Sequence, residues 1–167
     1  MKVVISGSRS IHDAAHLEQA IIQSGFGYID EIVYGKAASG VDRHAEDYAR
    51  AQDIKATPFP AQWHDFTLRR VMSKKNGRGQ YYNAVAGMVR NEDMVLYVRK
   101  FDGGLIAVWN FESPGTANTI AHGIVNGLKV FVYDVRKCKG AVVRITPETM
   151  EWAEKVIKHG FKRKRNS

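Results

Sequence analysis

Short β-branched runs alternate with stretches of helical periodicity along nearly the whole chain, and this alternation restricts the fold more than any other feature. Strands are expected over residues 2–6, 30–34, 54–59, 105–109 and 129–133, with a short extra strand over 142–145. Between them, Ala14, Leu17, Ala20 and Ile21 recur at helical spacing behind Asp13, a capping residue, until Gly25 and Gly27 stop the helix. Further helices are expected over 41 to about 51, over 81 to about 97, from Pro114-Gly115 to near Gly127, and from Pro147 to near Gly160. Strands separated by helices of roughly ten to fifteen residues make βαβ units and a mostly parallel sheet. The expected fold is therefore α/β, a three-layer doubly wound sheet. Such sheets bind ligands beyond the carboxyl ends of their strands.

With 167 residues, 44% of them hydrophobic and 25% charged, the chain has the composition of one globular domain. That domain is expected over 1–160, with a basic insertion near 64–80 and a basic tail at 161–167. The apolar run ahead of Ser6 is too short for a signal-peptide core, and no run approaches the roughly 20 residues of a membrane span. A single cysteine, Cys138, allows no internal disulfide, and no Cys/His spacing suggests zinc. These features fit a cytoplasmic protein without a membrane partner. The formal net charge is +8, and the excess is clustered. Arg69, Arg70, Lys74, Lys75 and Arg78 crowd one polar stretch, and Lys158, Lys162, Arg163, Lys164 and Arg165 crowd the end. Either these cations form a nucleic-acid-binding surface or they are solvated. For the tail the solvated reading is favoured, because no aromatic residues alternate with its charges. The stretch from His64 to Gln80 contains the turn signal Asn76-Gly77; it reads as a phosphate-grasping lid or a disordered loop.

Three strand-to-helix junctions carry the chemistry, and the parallel sheet places all three on one edge. Ser6-Gly7-Ser8-Arg9-Ser10 combines close backbone approach at Gly7, hydroxyls, and the donor fork of Arg9. In the second junction, Gly35 to Arg43, small residues including Ser39 and Gly40 open a helix and expose amides suited to an anion. Asp42 stands in its first turn, as a cap or as a contact to ribose or base. This junction is not a P-loop, since Gly-Lys-Ser/Thr is missing. The third, Asn110 to Thr119, presents Ser113-Pro114-Gly115-Thr116 at a helix start. Elsewhere Arg90-Asn91 forms a polar pair whose members point about 100° apart on a helix, and Trp63-His64 offers either a base-stacking ring or a core tryptophan.

The chain resembles the SLOG superfamily, in particular its YspA-like branch. The resemblance rests on Gly7-Ser8-Arg9, on Gly35 to Asp42 with Ser39-Gly40-Val41-Asp42-Arg43, on Pro60-Ala61-Gln62-Trp63, and on Ala86-Gly87 followed by Arg90-Asn91. Ser113-Pro114-Gly115-Thr116 looks like the family's serine/glycine-rich loop. It implies a Rossmann-like fold that binds nucleotides or their derivatives. Some relatives, the LOG-type enzymes, hydrolyse the N-glycosidic bond of nucleoside monophosphates; others sense nucleotide-like signals, and DprA-type relatives bind single-stranded DNA. By position, the implied ligand residues are Gly7, Ser8, Arg9, Gly35, Ser39, Gly40, Asp42, Trp63, Arg90, Asn91, Ser113, Gly115, Thr116 and Thr119. Thr119 stands where the LOG-type hydrolases carry a catalytic glutamate, which leaves Asp42, Arg90 and Glu112 as substitute catalytic candidates. No metal site is compelled by spacing, although Asp42, Asp93 and Glu112 offer carboxylates to a magnesium ion carried by phosphate. Relatives associate through helices, so a homo-oligomer is expected. A nucleotide-binding sensor, sequestering agent or regulator ranks first, a nucleoside-monophosphate hydrolase second, and a single-stranded nucleic-acid-binding module third.

Overall fold

Strand β1 (Lys2–Gly7) buries Val3, Val4, Ile5 and Ser6, as a strand covered on both faces must. The structure, a computed structural model, describes residues 1–163; Lys164 and Arg165 of the expected basic tail lie outside the described residues. From β1 the chain runs through helix α1 (Ala15–Ser24), β2 (Glu31–Tyr34), α2 (Val41–Ala51) and β3 (Lys55–Pro58). A two-stranded excursion, β4 (Ser73–Lys75) and β5 (Tyr81–Asn83), precedes α3 (Ala86–Arg99). The second half is β6 (Gly104–Trp109), α4 (Pro114–Val125), β7 (Lys129–Asp134), β8 (Lys139–Val142) and α5 (Pro147–His159).

The main sheet has the order β3-β2-β1-β6-β7-β8, parallel except for the β7–β8 pair. The chain builds outward from β1 to β3, returns to place β6 beside β1, then builds the other way. The order therefore reverses between β1 and β6, and the carboxyl ends of these two strands flank a crevice. Alternation along the strands fills two cores. Val3, Ile5, Ile32 and Phe131 pack against Leu17 and Ala20 of α1 and Ala45 and Ala49 of α2. Val4, Val33, Leu105 and Val130 pack against Met94 and Val98 of α3, Ile120 and Ile124 of α4, and Ala153 of α5. The result is the expected three-layer α/β architecture.

Local signals explain most helix starts. The Asp13 carboxylate accepts the Ala15 amide at 2.9 Å. Ser113 caps α4 through the Thr116 amide, with Pro114 at the first position. Thr146 and Thr149 cap α5 reciprocally.

Two elements differ from the sequence expectation. No helix starts at Tyr81: Tyr81, Tyr82 and Asn83 pair antiparallel with Lys75, Lys74 and Ser73, and α3 begins only at Ala86. The buried Asn83 side chain enforces this, accepting from the Met72 and Val85 amides and donating to the Asp65 and Arg70 carbonyls. The later part of the segment read as a lid or a disordered loop is thus the β4–β5 hairpin, pinned at its base by Asn83. The extra strand lies at Lys139–Val142 rather than 142–145. A tight turn brings it back three residues earlier: the Asp134 carboxylate accepts the Arg136 amide, and Cys138 has φ 50°.

At the amino edge, opposite the crevice, Glu31 is 0% exposed. Its carboxylate accepts from Lys2, Thr57 and Tyr97, which hold its pKa down at about 2 against the opposing effect of burial. No helix among the described residues is long and apolar enough to cross a membrane.

Candidate functional site

A cleft of about 490 Å³ opens at the carboxyl ends of β1, β2 and β6, where the strand order reverses. Each strand delivers one of the three small-residue junctions. From β1 come Ser6, Gly7, Ser8, Arg9 and Ser10; from β2 come Gly35, Ala37 and, one turn into α2, Asp42. The loop after β6 contributes Asn110, Glu112, Ser113, Gly115 and Thr116, and α3 closes the remaining side with Arg90, Asn91 and Met94.

Glycine makes these approaches feasible at two positions. Gly40 has φ +73°, and a β-carbon there would fall 2.4 Å from the Ser8 carbonyl oxygen, so the second loop rests directly on the first. A β-carbon on Gly35 would lie 2.5 Å from a terminal nitrogen of Arg90 and 2.9 Å from a carboxylate oxygen of Asp42. Gly35 thus lets the guanidinium and the carboxylate close in around one backbone position.

Arg90 donates to the carbonyls of Gly35 and Phe59, and its Nε donates to Asn91 Oδ1 at 2.9 Å. Asn91 Nδ2 in turn reaches Asn118 Oδ1 at 3.1 Å and the Gly115 carbonyl at 3.3 Å, tying α3 to the start of α4. Two consecutive helical residues therefore both line the cleft, the long arginine folding back over its shorter neighbour. Asp42 accepts the Ala37 amide at 3.0 Å. Burial pushes its carboxyl above the usual carboxylate range, against the amides of Ala37 and Gly35 and the charges of Arg90 and Arg9. Burial lowers the pKa of Arg90; Asp42 opposes that effect and nearby Arg9 adds to it. Two cations and one buried carboxylate thus share the cleft, and Arg9 is exposed at its mouth.

Not every residue expected at the site faces it. Ser39 lies outside the lining and its hydroxyl donates to the Arg9 carbonyl; Gly40 serves the loop contact described above. Trp63 packs its ring over Gly87, where a β-carbon would stand 3.1 Å away, a tight contact. Thr119 is 1% exposed, and its hydroxyl bonds back to the Gly115 carbonyl inside α4. The position of the hydrolase glutamate therefore supplies no polar group to the cleft. Asp93 pairs with Arg69 of the hairpin, and Glu112 pairs with Arg163, so the three carboxylates considered for magnesium do not converge. Among the described residues no group of three or more His, Cys, Asp or Glu is arranged to hold a metal. None of the residues of the basic insertion lines the cleft.

Sequence reasoning passed over Asn110. Its Oδ1 accepts from Ser8 Oγ at 3.0 Å and from the amides of Glu112 and Ser113, and its Nδ2 approaches Ser10 Oγ at 3.4 Å. This one side chain fixes the first loop against the third. Its place directly after a buried strand, ahead of Ser-Pro-Gly, was the available signal.

No curated protein and no solved structure matches the chain. A family model does match residues 1–66, the part that contains β1 to β3 and the first two loops of the cleft. Over that segment the chain is similar to the YspA, cpYpsA-related SLOG family.

Proposed function

We propose that the cleft binds a nucleotide or nucleotide derivative, with its phosphate held by Arg9, the Ser8 and Ser10 hydroxyls and the loop amides. The observation that carries this reading is the shared occupancy of one crevice by exposed Arg9 and half-buried Arg90 at the reversal of a parallel sheet. An anion between the two cations relieves their mutual repulsion and replaces solvent lost on burial. The start of α4 adds the Gly115 amide and a positive dipole end. The volume lies within the ordinary range of small-ligand sites, about 300–1,000 Å³. Asn91, Ser113 and Asn110 add neutral polar groups to the lining, which suits a base or ribose better than a second charge would. The family match over residues 1–66 agrees with a nucleotide-related role.

A thermal-shift panel of nucleoside mono- and diphosphates, cyclic nucleotides and ADP-ribose species tests the proposal. Ligand at a hundred times its Kd should add about 2.7 kcal/mol of stability. A panel that leaves the melting temperature unmoved refutes it.

Asp42 supports a second reading, glycosidic hydrolysis. It is the one buried carboxylate among the described residues lining the cleft, and burial raises its pKa, the direction a general acid requires. Chromatography for free base after long incubation with nucleoside monophosphates separates the two readings: a bound but intact ligand leaves the binder alone.

A further inference from the structure

We infer that the β4–β5 hairpin is a second binding surface, separate from the cleft, and that its ligand is single-stranded nucleic acid. Charge is the first argument. Between Asp65 and Glu92 the chain contains no carboxylate, yet it carries Arg69, Arg70, Lys74, Lys75, Arg78 and Arg90. Arg69 is occupied, holding the hairpin to α3 through Glu92 and Asp93, and Arg90 belongs to the cleft. Arg70, Lys74, Lys75 and Arg78 form no ion pair among the described residues, and all four are exposed. Such a concentration of unpaired cations fits a polyanion.

Aromatic exposure is the second argument. Tyr81 is 58% exposed and Phe66 43% exposed within the same insertion. The register sets Lys75 opposite Tyr81 and Lys74 opposite Tyr82, and the Lys75 ammonium stands 5.0 Å from the centre of the Tyr81 ring. Side chains directly opposite on a hairpin share a face. A cation beside an exposed ring matches one nucleotide unit, a phosphate for the lysine and an unstacked base for the tyrosine. A paired duplex hides its base faces and cannot use the ring.

Rigidity is the third. Asn83 clamps the base of the hairpin, and at the tip Asn76 Oδ1 accepts the Arg78 and Gln80 amides. A preorganised platform loses little freedom on binding. The tip itself, Asn76-Gly77-Arg78-Gly79-Gln80, is wholly polar, so it does not suit insertion into a bilayer.

Fluorescence anisotropy with labelled oligothymidylate and oligouridylate of about 16 nucleotides tests the inference. Binding of either at low salt is expected, and the tighter of the two identifies the natural polymer. Tyr81→Ala should weaken it about 5- to 100-fold. Joint replacement Lys74→Ala and Lys75→Ala should lower the log–log salt slope by about 1.4, two phosphate contacts' worth on a single strand. Both sites are exposed, and unchanged thermal unfolding of the variants shows that the fold survives. Saturating nucleoside monophosphate should leave oligonucleotide binding intact. The inference fails if neither oligonucleotide binds, if duplex binds as tightly, if Tyr81→Ala has no effect, or if the mononucleotide displaces the strand. Binding to phosphatidylserine vesicles in place of oligonucleotide also overturns it. Apart from the mononucleotide competition, which rests on the cleft taking a nucleotide, these outcomes stand whether or not it does.

Discussion

Ser8 and Asn110 are 102 positions apart in the chain, and the Ser8 hydroxyl donates to the Asn110 side-chain oxygen at 3.0 Å. That bond joins the loops after the two central strands, across the line where the sheet order reverses. Replacing Asn110 with Ala strands the Ser8 hydroxyl and two loop amides. It should cost about 1–3 kcal/mol in urea unfolding. Asn110→Asp keeps the acceptor but sets a negative charge beside Ser8, one of the proposed phosphate contacts. It should spare the fold and weaken nucleotide binding, a split visible when titration calorimetry is set beside unfolding.

The two glycines of the second loop should respond differently to alanine. At Gly40 the obstacle is the Ser8–Arg9 backbone and the conformation is left-handed, so Gly40→Ala should cost about 2–5 kcal/mol of stability. At Gly35 the nearest atoms are the far end of Arg90 and the Asp42 carboxylate. Those side chains can swing aside. Gly35→Ala should therefore change the melting temperature little while dislodging Arg90 and reducing ligand affinity. Equal loss of stability in both variants contradicts this assignment.

Acid should weaken the fold in two separable windows. His122 is 4% exposed, its Nε2 has no partner among the described residues, and burial holds its pKa below 6.5. The unfolded chain binds a proton there that the folded chain resists, so stability falls as pH drops through about 6.5. His122→Leu should flatten that part of the profile. Glu31 has a folded pKa of about 2, below its ordinary 4.5. Its contribution is fully present above 4.5 and is lost as pH falls from there towards 2. The difference in unfolding free energy between wild type and Glu31→Gln should shrink across that range.

Thr119 offers a direct check on the hydrolase geometry. Because its side chain lies inside α4 and bonds to the Gly115 carbonyl, a glutamate there must bury a carboxylate. Thr119→Glu should destabilise the protein, by several kcal/mol if the charge stays buried, without producing base release. Recovery of hydrolysis by chromatography would show that α4 can present this position to the ligand.

The sequence alone determined the layered α/β architecture, because buried parallel strands and amphipathic helices have different periods that can be read residue by residue. It also determined that the three small-residue junctions share one edge, since successive parallel strands end on the same side of their sheet. Only the tertiary structure decided which residues face inward from those junctions. Gly40, Ser39 and Thr119 turn towards other loops and the interior of α4, while Asn110, Ala37 and Met94 line the cleft. Tyr81 likewise became a strand rather than a helix through Asn83, whose partners lie up to 18 residues away. Such choices rest on bonds between distant segments, and no local pattern of spacing encodes them.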